Sequence, residues 1–289
     1  MSPLPVWFHE LVVAPSAFAL AFLHVRRAVG GRRAAGELGA LVAYGCALEA
    51  AAIQLFGSHT YGGGWLVAPF GVPLAVAVVW AAVISSAMAL AARSGWPPTG
   101  ARAAAAAVVA VTLDLLMEPV AVRVGLWRWT PPGPWLGVPV GNFVGWTVIV
   151  AGYAAGAERL AGDGPAHREA GWRLVLIAGS VLALVVVGLA WKMLRVEWLF
   201  TGGRGWWAWA AILLAAAVVG RGRRADGDGS GLAARLGRAR GRLPSAVFLG
   251  LAAVFAIDAA ALWDPPLWMA AAGPVAALLW ISGRASSGS

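Results

Sequence analysis

From Leu174 to Ala190 the chain runs without a charged side chain, as a continuous apolar stretch rather than an alternation of apolar and polar residues. In lipid such a segment satisfies its own backbone hydrogen bonds only as a helix, because barrel strands alternate. Comparable stretches lie at roughly 6–25, 37–57, 68–92, 102–119, 141–160, 172–194, 205–220, 245–263 and 267–282, which predicts nine crossings. The last, 267–282, would rise only about 24 Å as a helix, short of a hydrocarbon core about 30 Å thick. An eight-crossing version therefore stays open, with the final segment re-entrant or the bilayer thinned around it. Hydrophobic residues make up 60% of the chain and charged residues 12%, with a mean hydropathy of +0.75, too much apolar surface for a water-soluble fold to cover. The expected fold class is all-α: a polytopic integral membrane helical bundle of about 8 to 9 transmembrane helices, forming a single transmembrane domain over residues 1–289.

The net charge of +9 would point to nucleic acid in a soluble protein, but here it reads first as topology. With the amino terminus outside, 17 of the 22 basic residues fall on the cytoplasmic side, seven of them in the 221–242 loop. That partition predicts a multi-pass protein of the cell membrane, with the carboxy terminus inside if there are nine crossings, and no nucleic-acid partner. The Gly/Arg-rich 221–242 loop reads as a flexible solvated connector. The first apolar segment lacks a basic leader and a cleavage signal, so it is expected to stay as a helix, kinked at Pro15. The single cysteine, Cys46, excludes an intramolecular disulfide and a thiolate metal cluster.

Ionisable groups inside a bilayer are costly, and Glu49, Asp114, Glu118 and Asp258 all fall within predicted crossings. In the orientation above they lie toward the outward helix ends, which points to one polar cavity in the outer half. Asp114 and Glu118 are one helical turn apart, with Pro119 expected to end or kink the helix just beyond. Two carboxyls so close in low dielectric cannot easily both ionise, so one keeps a proton for general acid chemistry. Asp114, the deeper of the two, is the expected donor, with Glu118 tuning it and Glu49 a further candidate; helix packing is the competing explanation for each.

The loops after the acid-bearing helices, HTYGGGWLVAPFGVPL at 59–74 and WRWTPPGPWLGVPVGNFVGW at 127–146, both carry aromatics and glycines and then a Gly-Val-Pro that opens the next helix. Glu49 and Asp114 are 65 residues apart, Gly71 and Gly137 66, which reads as a weak parallel duplication of a helical hairpin. Trp127, Trp129 and Trp146 fit either an interfacial belt or an aromatic slot for a polyene or carbocation, and the W-R-W spacing beside paired acids favours the slot for the first two. His59 and Tyr61 fit either headgroup contacts or a proton and water relay. Asn142 fits a helix cap, a substrate contact or a water ligand.

The four histidines are scattered, so the histidine boxes of membrane desaturases are absent, no metal site is expected, and a hydroxyl installed here would come from water. No dinucleotide fingerprint or phosphate loop occurs. The D-x-x-x-E at 114–118 matches half of a prenyltransferase motif, but a second acidic motif is missing.

YGCALEA around Glu49, HTYG at 59–62, LDLLMEPVAVRVGLWRW at 113–129 and LGVPVGNFVGW at 136–146 together resemble the CruF-type membrane-integral carotenoid hydratases, which include carotenoid 1,2-hydratase and bisanhydrobacterioruberin hydratase. The resemblance covers roughly residues 40–150; an aspartate is common in that family where this chain has Glu118. It implies a hydro-lyase that adds water to the terminal C1,2 double bond of an acyclic carotenoid, giving a tertiary alcohol without a cofactor. Catalysis would fall to Asp114, Glu118 and Glu49, and substrate binding to His59, Tyr61, Trp127, Trp129, Asn142 and Trp146. Its partners would be an acyclic carotenoid entering from the bilayer, water, membrane lipids and other enzymes of carotenoid synthesis. The alternatives are a membrane carotene cyclase or isomerase, and a non-catalytic lipid or carotenoid carrier.

Overall fold

The computed structural model describes residues 3–93, 100–160, 166–193, 231–239 and 241–287. The helices are α1 (Val6–Val29), α2 (Gly31–Phe56), α3 (Leu74–Arg93), α4 (Gly100–Val124), α5 (Val140–Leu160), α6 (Ala166–Met193), α7 (Leu232–Arg238), α8 (Leu243–Leu262) and α9 (Pro265–Ser287). Eight of them, all but α7, contain stretches long and apolar enough to cross a membrane, and the chain is a polytopic helical membrane protein. The crossing expected at 205–220 lies outside the described residues. The final segment, expected to be short, is a 23-residue helix, long enough at about 1.5 Å per residue to span.

Helices α3 and α4 form the centre, with α1, α2, α5, α8 and α9 packed around them and α6 at the edge against α2 and α5. Composition explains this placement. Both central helices are rich in alanine (AVISSAMALAA in α3, ARAAAAAVVAV in α4), and small side chains let helix backbones approach closely where lipid supplies no hydrophobic drive.

Two prolines test the helix rules. Pro15 has no N–H for the Leu11 carbonyl, and the chain answers with a π turn over His9–Val13, in which the Ala14 amide bonds the His9 carbonyl. Pro119 was expected to end or kink α4; the helix does not end there and continues to Val124. The Leu115 carbonyl, which Pro119 leaves without its usual partner, instead accepts the indole N–H of Trp135 at 3.3 Å.

The two aromatic loops meet. β1 (His59–Tyr61) follows α2, β2 (Trp127–Trp129) follows α4, and they pair antiparallel with His59 opposite Trp129, Thr60 opposite Arg128 and Tyr61 opposite Trp127. A local two-fold rotation through the Thr60–Arg128 pair carries His59 to Trp127 and Tyr61 to Trp129, in keeping with the duplicated hairpin. Left-handed backbone recurs at matching points: Gly57 and Gly125 at the helix ends, then Phe70–Gly71 and Leu136–Gly137 before each Val-Pro. These landmarks shift the expected equivalence. Gly57 and Gly125 are 68 residues apart and the helix starts Gly31 and Gly100 69 apart, so Glu49 corresponds to Glu118, 69 residues on, rather than to Asp114.

The other end of the bundle is held by ion pairs. Glu37 accepts Tyr153 Oη at 2.7 Å and Arg173 Nε at 3.1 Å, and Arg102 pairs with Glu158 at 2.8 Å. Part of the expected flexible connector at 221–242 is ordered here. Leu232 and Leu236, one turn apart, bury the apolar face of α7 against α3, while Arg93 donates to the Ala239 and Gly241 carbonyls at 2.7 Å each. The 221–230 portion lies outside the described residues.

Candidate active site

Beneath the β1–β2 pair lies a cleft of about 660 Å³ of empty space, the open solvent at its mouth included. Glu49, His59, Tyr61, Glu118, Trp127, Trp129, Asn142 and Trp146 all line it. Eight of the nine residues expected at the site thus share one wall system, although they come from α2, β1, α4, β2 and α5. The ninth, Asp114, does not line it.

Glu118 is buried, and a single oxygen of its carboxyl, Oε2, accepts both indole N–H groups, from Trp127 and from Trp129, at 2.9 Å each. An oxygen that accepts two hydrogen bonds is the carbonyl-like one, so a proton on this carboxyl resides on Oε1. The W-R-W spacing produces this: alternate strand residues point the same way, so both indoles reach the same acid from β2. Their rings pack among the other aromatics of the cleft. Trp127 is buried against Tyr61 at 5.9 Å between ring centroids, and Trp129 lies 4.8 Å from His59.

Glu49 occupies the corresponding place in the first hairpin. Its Oε2 pairs with His59 Nε2 at 2.9 Å, and His59 Nδ1 lies 2.9 Å from Ser58 Oγ, so both ring nitrogens are engaged. Tyr61 lies beside both acids. Burial, and then the Glu49 and Glu118 carboxyls, hold its hydroxyl well above the ordinary phenol range, so it stays protonated.

Asp114 sits one turn before Glu118 but behind the cavity wall. It is fully buried, and its Oδ2 accepts the Asn142 side-chain amide at 2.8 Å. Asn142 faces the cavity, so of its three expected roles the helix cap is replaced by a bridge between cavity and Asp114. Asp114, expected as the proton donor, thus reaches the cleft only through Asn142. Four residues along a helix is about 400°, and the residual rotation turns Glu118 to the cavity and Asp114 to α5.

Sequence reasoning missed the α1 contribution. His9 lines the cavity, and its Nε2 lies 3.1 Å from Oδ2 of Asp258 on α8, whose Oδ1 accepts the Leu4 amide at 2.7 Å. The neighbouring Glu10 accepts the Leu66 and Val67 amides at 2.8 and 3.1 Å, fastening the first aromatic loop to α1. The available signal was the adjacent His9–Glu10 pair in an otherwise apolar crossing just before Pro15. Trp80, packed against Trp146 with ring centroids 4.5 Å apart, was also missed, as were Leu251 and Phe255. Among the described residues no group of three or more His, Cys, Asp or Glu side chains is arranged to hold a metal ion.

The fold and cleft together define a helical integral membrane protein whose acid and aromatic residues converge beneath a short strand pair. Residues 8–202 match the family described as carotenoid biosynthesis protein, and the chain belongs to that family. Its role is therefore in carotenoid biosynthesis. The matched region supplies every cavity residue except Leu251 and Phe255, which come from α8. No curated protein and no solved structure gives a match.

Proposed function

We propose that this protein is a carotenoid hydratase, which adds water to the terminal C1,2 double bond of an acyclic carotenoid end group. The observation that carries the reading is Glu118: one carboxyl oxygen is held by two indoles, which leaves the other to present an acidic proton to an aromatic cavity. Glu118 Oε1–H protonates the less substituted alkene carbon, and the double-bond electrons form the new C–H bond. The tertiary cation develops beside the faces of Trp127, Trp129 and His59, where ring quadrupoles and the Glu49 carboxylate stabilise it. Water then forms the C–O bond, one of its O–H bonds breaks, and the released proton restores the Glu118 carboxyl. Asp114 acts through Asn142, which it orients toward the reacting end. The chemistry needs no cofactor.

The cleft would receive the end group, with the rest of the polyene extending into the bilayer. The distribution of arginines supports an amino terminus outside the cell membrane and a cavity in the outer half. Expression in a lycopene-producing bacterium, with mass spectrometry of the extracted pigments, tests the function. The expected product is heavier by one water per reacted end. A new pigment of unchanged mass would make the protein a cyclase or isomerase, and unaltered pigment bound to it would make it a carrier.

A further inference from the structure

We propose that His9, 3.1 Å from Asp258, is the base that receives and deprotonates the attacking water; the inference rests on the hydration reading above. The cavity has two imidazoles, and they differ in one decisive respect. His59 has both nitrogens engaged, with Ser58 and Glu49. His9 Nε2 and Asp258 Oδ2 lie 3.1 Å apart, yet neither is aligned with any hydrogen-bond partner. Both residues are sealed from solvent, His9 at 6% exposure and Asp258 at 0%. Buried polar atoms left in this state are expensive, and a water-sized ligand bridging them removes the cost.

The backbone supports the assignment. His9 opens the π turn forced by Pro15, a distortion frequent at functional sites, while the Leu4 amide holds the far oxygen of Asp258 at 2.7 Å. His9 stands on α1, whereas Glu118 stands on α4, so acid and base reach the same cavity from different helices. In the second half of the reaction a water lone pair forms the C–O bond, one O–H bond breaks, and its proton goes to His9 Nε2 with Asp258 balancing the charge. The proton then returns to the Glu118 carboxylate emptied in the first step, and one water has been consumed. His9 is thus a catalytic residue and Asp258 a positioning residue.

The test separates protonation from water capture. His9→Gln and Asp258→Asn proteins in membrane vesicles with lycopene are run in D₂O, reading both hydrated product and deuterium in the recovered unhydrated carotenoid. Losing a general base costs about 10² to 10⁴ in rate, so hydrated product should fall at least about 100-fold. Deuterium uptake, which needs only Glu118 and reversal of its step, should stay within a few-fold of wild type. Wild-type hydration in both variants overturns the inference, as does loss of hydration and exchange together, or failure of both variants to accumulate. A wild-type protein that adds no water instead overturns the hydration reading, and the inference falls with it.

Discussion

Replacing Glu118 by glutamine removes the acidic proton and leaves the surrounding hydrogen bonds in place. The two indole N–H groups at 2.9 Å need an acceptor, and the glutamine carbonyl oxygen supplies one. The same two bonds orient the substitute, turning its NH₂ to where the acidic Oε1 stood. Glu118→Gln should therefore insert and pack as wild type while losing the proton donor, a loss of about 10² to 10⁴ in turnover. Glu118→Ala should behave differently. It strands two indole donors in the interior, at about 1–3 kcal/mol for each donor left unsatisfied, so thermal stability in detergent falls along with activity. Asp114→Asn is the control for the proposed assignment. Its oxygen still accepts the Asn142 amide, and the change lies behind the wall, so turnover should fall by less than about tenfold, or about 1.4 kcal/mol of barrier. Turnover is measured in lipid vesicles as hydrated carotenoid per protein, with melting followed in parallel. Wild-type turnover in Glu118→Gln would refute the reasoning, and so would a larger loss in Asp114→Asn, which would return the proton donor to Asp114.

Trp127→Phe and Trp129→Phe each keep a ring for the cation but remove one hydrogen bond to Glu118, so each should lower turnover several-fold; the double variant should lose more than the product of the two, and a double variant as active as either single would separate the indoles from the acid. For orientation, in a background lacking Cys46, a cysteine at the exposed Gly63 should react with an impermeant maleimide on intact cells, and one in the 221–230 segment only after permeabilisation. The reverse pattern would invert the bundle.

The crossings were readable because lipid leaves only one local solution for a long apolar run, and eight of the nine expected stretches contain helices in the described residues. The likeness of the two aromatic loops was readable from their shared Gly-Val-Pro and spacing, but their pairing as strands was not. Choosing between Asp114 and Glu118 was not: the one-turn rule puts both on one side of α4, and what separates them is a partial rotation fixed by neighbouring helices. That Pro119 does not end α4 has a related reason. The rule that proline breaks a helix assumes that the freed Leu115 carbonyl stays unpaired, and its partner, Trp135, arrives from a loop 20 residues away. His9 and Asp258 are 249 positions apart in sequence, with no motif linking them, so only the packing of α1 on α8 joins them.

Everything proposed for the site depends on β1 and β2 holding their register, and one close approach controls that register. The Gly62 amide donates to the Leu126 carbonyl at 2.8 Å, and a Cβ at Gly62 would run into the Gly125 carbonyl oxygen. The obstacle is backbone, which cannot swing aside as a side chain would, so Gly62→Ala must push the strands apart at about the 1–3 kcal/mol typical of overpacking. Displacement there moves His59 and Tyr61 relative to Trp127 and Trp129, and with them the bonds that orient Glu49 and Glu118. A misplacement of about 1 Å at reacting groups costs about 100-fold in rate, so turnover should drop by one to two orders of magnitude while membrane insertion, set by the helices, is unchanged. Gly63→Ala, one residue on, is the matched control: its Cβ would meet open space, and activity should stay at wild type. Full activity in Gly62→Ala, or equal damage from Gly63→Ala, would mean that the strand pair covers the cavity without setting its geometry.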